Sequence, residues 1–238
     1  MSDLNIAVIS DIHGYSLALD RVLEDIARHG VDHIVVAGDL VEGGPDPVGV
    51  LDRVLGLDCV VIQGNTDYDI AKRHRDSRSA AWTEQQIGSE GREWLLNLPF
   101  DHRITPPGAH SPWQDLLVVH ANPSDFSRAM EPDASAEDLG LLIGKTKAAV
   151  IAFGHIHIAY TRQLEHIKLI DVSAVGNPKD GDLRSKWGLI SWNTEARSWS
   201  TELHFIDYPL EETVAQFRAS GIPKAEKKIR ILREASYE

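Results

Sequence analysis

The chain has 238 residues, 42% hydrophobic and 25% charged, with a formal net charge of −12. That length fits one domain, or one domain with an appendage, and can bury a sizeable core. The acidic balance repels long nucleic acid, the single cysteine (Cys59) excludes an intrachain disulfide, and no apolar run reaches membrane-spanning length.

In chain order, residues 6–10 form an apolar run that stops at Ser10-Asp11-Ile12-His13-Gly14. Such a run reads as a strand buried on both faces. Helical spacing follows over residues 15–29, with Gly30 as C-cap. A second strand, 33–37, ends at Gly38-Asp39, and a loop and a short helix over 48–55 come next. A third strand, 59–63, ends at Gly64-Asn65-Thr66-Asp67. Alternating strands and helices predict a parallel sheet whose three strand ends share one edge. In open α/β sheets that edge binds ligands. A period-two backbone would put Asp11 and His13 on one side of it.

The middle is less regular. Lys72, Arg73, His74, Arg75 and Arg78 cluster after the third strand end, and a helix is expected over 82–97. An edge strand follows at 103–104, then a strand over 115–119 that ends in His120. Residues 123–130 read as a loop or lid, and 136–143 as a helix with Ser135 as N-cap. A strand over 148–153 closes in Gly154-His155-Ile156-His157. Beyond it, 168–172, 187–192 and 199–206 read as mainly antiparallel strands, with a hairpin at 193–197. The segment 209–238 is charged and helix-forming, and is expected to dock on the domain formed by 1–208.

Seven residues at strand ends can ligate metal: Asp11, His13, Asp39, Asn65, His120, His155 and His157. They offer oxygen and imidazole only, a set that suits Mn, Fe, Zn, Ni or Co and not a sulfur cluster. Seven is more than one tetrahedral site uses, and two divalent ions sharing a bridging carboxylate would employ them all. Asp11-x-His13, Gly38-Asp39, Gly64-Asn65, His120 and Gly154-His155-x-His157, in this order, resemble the motif blocks of the calcineurin-like metallophosphoesterases. The segment Ser173-Ala174-Val175-Gly176-Asn177-Pro178 with Gly188-Leu189-Ile190 resembles their small bacterial and archaeal phosphodiesterase branch.

The resemblance implies an α/β fold, a four-layer α/β/β/α sandwich of two mixed sheets flanked by helices. It implies that Asp11, His13, Asp39 and His157 hold a first metal, and that Asn65, His120 and His155 hold a second, with Asp39 as the bridge. It further implies hydrolysis of phosphodiester or phosphoanhydride bonds of a small phosphorylated substrate by a metal-bridging hydroxide. Phosphomonoester, phosphoprotein and dinucleoside polyphosphate substrates stay open, as does a non-catalytic regulatory module of the same fold. Many members carry a proton-donating His after the Asn; here that position is Thr66. His74 and Asp67 are candidate replacements. Arg73, Arg75, Arg184 and Lys186 are candidate phosphate contacts. Cytoplasmic location is expected, no membrane is an expected partner, and monomer or homo-oligomer is left open.

Overall fold

The computed structural model describes residues 3–74 and 76–236. The strand runs read from the sequence assemble into two five-stranded sheets. The first has β1 (Leu4–Ile9), β2 (His33–Val36), β3 (Cys59–Val61), β9 (Ser185–Asn193) and β10 (Ser198–Ile206), in the order β10-β9-β1-β2-β3. Here β1, β2 and β3 are parallel, with Ile9 beside Val36 and Val36 beside Val61. The β9–β10 hairpin pairs antiparallel on β1.

The second sheet has β4 (Asp101–Ile104), β5 (Leu116–Val119), β6 (Val150–Phe153), β7 (Tyr160–Leu164) and β8 (Ile167–Asp171), in the order β4-β5-β6-β8-β7. The antiparallel strands expected beyond residue 157 are β9 and β10, while β8 departs from that expectation by pairing parallel with β6 as well as antiparallel with β7; β5 and β6 are parallel to one another. The helix α5 (Ala136–Ile143) returns the chain between β5 and β6, and β7 forms a hairpin with β8. β7 escaped the sequence reading because none of its five residues is buried.

Side-chain alternation explains the layers. Ile6 and Val8 face inward and pack with Val35, Leu116, Val118, Ala152, Ile170 and Val172 between the sheets. Ala7, Ile9 and Val36 face outward and pack under the helices α1 (Ser16–Ile26), α2 (Pro47–Leu55), α3 (Asn65–Lys72) and α4 (Arg78–Leu96). On the far side, Val119, Ile151, Phe153 and Leu169 pack against α5. The result is the α/β/β/α sandwich. Helices α6 (Leu210–Ser220) and α7 (Ala225–Glu234) place Val214, Phe217, Ile229 and Leu232 in the same core as α1. Among the described residues no helix is long and apolar enough to cross a membrane.

Candidate metal centre

Parallel strands end at a common edge, and the two sheets bring two such edges together. Asp11 and His13 follow β1, Asp39 follows β2, and Asn65 opens α3 directly after β3. His120 follows β5, and His155 and His157 follow β6. Two contacts stitch the edges, the His155 N–H donating to Asp11 Oδ2 at 2.8 Å and His120 Nδ1 to the Ala37 carbonyl at 2.8 Å, while within the second sheet the Gly154 N–H donates to the His120 carbonyl at 3.0 Å. Gly154 permits this approach, since a Cβ there would lie 2.3 Å from both Asp11 Oδ2 and Ser10 Oγ.

The residues converge for a different reason than strand periodicity. Asp11, His13, Asp39, His155 and His157 all have left-handed φ, between 51° and 77°. Non-glycine residues rarely adopt that region, and such strain clusters at functional sites. Each strand therefore ends before its site residues, and tight turns aim them.

Every one of the four histidines spends one ring N–H on a backbone carbonyl. His13 Nδ1 donates to Glu42 at 2.6 Å, His157 Nδ1 to Asn177 at 2.7 Å, His120 Nδ1 to Ala37 at 2.8 Å and His155 Nε2 to Ser127 at 2.9 Å. A carbonyl can only accept, so in each neutral ring the opposite nitrogen carries a lone pair. Those lone pairs converge. His13 Nε2 and His157 Nε2 are 3.1 Å apart. His120 Nε2 and His155 Nδ1 lie 2.9 and 3.0 Å from Asn65 Oδ1. Asp39 touches both groups, with Oδ2 3.6 Å from His13 and Oδ1 3.6 Å from His120. Asp11 Oδ1 is buried, has no hydrogen-bond partner, and stands 3.2 Å from His157 Nε2. Acceptors facing acceptors in a buried site call for a cation. The outward N–H to carbonyl bonds are the arrangement that orients imidazoles for metal ligation.

The electrostatics agree. Burial disfavours a charged His13, yet the facing Asp11 and Asp39 push its pKa up to about 9. Burial likewise opposes charge on Asp11, and the imidazoles of His157 and His13 outweigh it, holding the carboxyl well below its usual range. A proton is the one cation these groups can take without a metal.

The other candidates separate cleanly. Asp67 is corrected as a proton donor. It is fully buried, and its carboxylate accepts from the backbone N–H groups of Asp39 (2.7 Å), Leu40 (2.9 Å) and Gly64 (3.1 Å). Burial and the Asp39 charge push its pKa up to about 7. Asp67 thus fixes the turn that presents Asp39. Asp67→Asn puts an amide against one or more of these buried N–H groups and is expected to lower stability by about 2–3 kcal/mol. Thermal melting checks this; an unchanged midpoint contradicts the role.

His74 is exposed on the side of Tyr68, 5.5 Å between rings, and does not line the cavity. Arg73 pairs with Glu84 at 3.2 Å, and Arg184 with Asp182 at 2.6 Å. Lys186 is buried against Asp180 at 2.9 Å and the Asp182 and Arg184 carbonyls. None of these three lines the cavity, and Arg75 lies outside the described residues. The 123–130 segment is a brace and not a free lid: Phe126 stacks on Tyr68, 5.6 Å between centroids, and Ser127 holds His155.

The cavity beside the centre has a volume of about 350 Å³. His13, Asp39, Asn65, Thr66, His155 and His157 line one side. Asn177, Lys179, Lys228 and Ile231 line another, and sequence reasoning missed all four. Asn177 stood in a quoted motif, but nothing local placed α7 against the site.

A family model described as calcineurin-like phosphoesterase matches residues 4–159, a span that contains all seven candidate ligands. The uncharacterised protein MJ0912 of Methanocaldococcus jannaschii is 25% identical, with 92% of this chain and 94% of that protein aligned. The phosphodiesterase YfcE of Escherichia coli K12 is 25% identical over 73% of this chain and 80% of its own length. A metallophosphoesterase crystal structure from Sphaerobacter thermophilus superposes with a TM-score of 0.76 at 23% identity, covering 98% of this chain and 99% of that one. The match runs through every strand end that carries a candidate ligand, and the chain belongs to the calcineurin-like phosphoesterase family, metal-dependent hydrolases of phosphoric esters.

Proposed function

We propose that the chain is a two-metal phosphoesterase acting on phosphodiester or phosphoanhydride bonds of small substrates. The observation that carries this is the outward hydrogen bonding of all four imidazoles, which leaves six ligand groups gathered around Asp39. Asp11, His13, Asp39 and His157 would hold one ion, and Asp39, Asn65, His120 and His155 the other. The oxygen and imidazole set suits Mn, Fe, Zn, Ni or Co. Such ions, when bound, lower the pKa of water and neutralise phosphoryl charge.

The protein supplies position. Asp39 is held from both sides: the Thr66 N–H donates to its Oδ1 at 2.8 Å, and Asp67 fixes its backbone. Backbone carbonyls fix each imidazole. The cavity admits a small molecule, and the net charge of −12 opposes a long polyanion. No proton donor follows Asn65. Thr66 is buried, a poor acid, and its Oγ1 has no hydrogen-bond partner. The leaving group must therefore depart without a strong acid.

Elemental analysis of protein purified without chelator should give about two transition ions per chain. Manganese-loaded protein should cleave bis-p-nitrophenyl phosphate, and chelation should abolish the reaction. Loaded protein that leaves this diester and phosphoanhydrides intact would overturn the proposal.

A further inference from the structure

Two lysines, both beyond the span of the family model, face the centre across its cavity. Lys179 sits on the loop that orients His157. The Asn177 carbonyl accepts from His157 Nδ1 at 2.7 Å, and the Lys179 N–H donates to the His157 carbonyl at 3.0 Å. Lys179 Nζ donates to Asn177 Oδ1 at 3.1 Å and to the Ser236 carbonyl at 2.7 Å. The Gly181 N–H donates to the Ala235 carbonyl at 3.0 Å, so this loop is tied to the end of α7. Along α7, Ile229 and Leu232 are buried, while Lys228 and Ile231, three apart, share the face that lines the cavity. Burial, and then the Lys228 charge, lower the Lys179 pKa to about 8, so the two ammoniums feel one another.

The cationic wall continues outward. A second groove of about 610 Å³ is lined by Arg78, Lys224 and Lys227, with Asp76 the one carboxylate among the described residues. It shares Lys228 and Ile231 with the first cavity. A chain with 36 acidic against 24 basic residues thus places Lys179, Lys228, Lys224, Lys227 and Arg78 along these two adjoining cavities.

We propose that Lys179 and Lys228 form an anion subsite for a second, non-scissile phosphate of the substrate, with the groove beyond Lys228 taking the rest of a polyphosphate chain. This rests on the phosphoesterase reading and narrows it to phosphoanhydrides. The missing proton donor and the lysine wall then have one explanation. In anhydride hydrolysis one water adds to phosphorus and the P–O–P bond breaks. The electron pair leaves with the departing phosphate, and the proton of the water passes to solvent. A phosphate leaves as an anion and needs nearby positive charge more than an acid. Lys179 and Lys228 supply that charge without donating a proton.

The test uses the full-length, manganese-loaded protein. Lys179→Ala and Lys228→Ala should each lower the ratio of kcat/KM for diadenosine tetraphosphate over bis-p-nitrophenyl phosphate by about tenfold or more, and Lys228→Arg should restore most of it. Lys145→Ala, an equal loss of charge on an exposed surface, should leave the ratio unchanged. An equal fall on both substrates, or no fall, overturns the subsite. Calorimetric titration with inorganic tripolyphosphate and with orthophosphate adds a readout free of turnover. Wild type should bind tripolyphosphate more tightly, and the double alanine variant should lose that difference. If neither substrate is cleaved while this difference holds, the hydrolase reading fails and the subsite stands. If cleavage occurs and the double variant keeps its preference for tripolyphosphate, the subsite fails alone.

Discussion

Asp39→Asn is expected to lower kcat by about a thousandfold or more while the protein remains folded. Asp39 is 2% exposed and, among the described residues, is the one carboxylate within 3.6 Å of both histidine groups. Asparagine keeps its shape and can keep the acceptor for the Thr66 N–H, which is 2.8 Å away. It loses the charge that two cations would share. The loss should therefore appear in metal content as well as rate, with the melting curve little altered. A variant with two ions per chain and full turnover would remove Asp39 from the centre.

Gly38→Ala should be the most damaging single methyl. Gly38 has φ of 88°, and a Cβ there would lie 2.4 Å from the Gly64 backbone nitrogen and 2.6 Å from its Cα. Neither backbone can yield without moving Asp39 or Asn65. Left-handed strain of about 1–2 kcal/mol and overpacking of about 1–3 kcal/mol add to roughly 2–5 kcal/mol. For a chain of this size that corresponds to a fall in melting midpoint of about 5–15 °C, with activity lost. Gly30→Ala is the matched control, because Gly30 has φ of 59° but nothing within 4 Å of its Cβ position. It should show the strain alone. Equal losses in the two variants would mean that the close approach of β2 and β3 contributes nothing.

The strand ends were legible because β5 and β6 are buried throughout and β1 and β2 become buried toward their C-terminal ends. An apolar run interrupted by Asp, Asn or His next to Gly is conspicuous in such a segment. Asp11 and His13 do meet, 3.5 Å apart, but through left-handed φ and not through a period-two strand. Left-handed φ at a non-glycine residue leaves no mark in the sequence. Asp67 was misread because a buried acid serving three backbone amides looks, in sequence, like an acid serving a substrate. Arg184 and Lys186 looked like phosphate contacts and instead pair with Asp182 and Asp180 on their own loop. Lys228 was invisible for the opposite reason. Its helix reads as amphipathic whichever way it docks, and the bonds that set its position, Gly181 to Ala235 and Lys179 to Ser236, join segments far apart in the chain.

The inter-sheet layer also acts as a spacer. Asp11, Asp39 and Asn65 ride on one sheet, while His120, His155 and His157 ride on the other. Val8, Val118, Ile170 and Val172 fill the gap between them and so set how far apart the two halves of the centre stand. Packed sheets are separated by about 10 Å, and a single methylene added or removed in a close-packed layer is felt by its neighbours. Substitutions there would detune the grip on metal without touching a ligand. The volume of this layer, more than the identity of any one of its residues, is what drift in the sequence has to preserve.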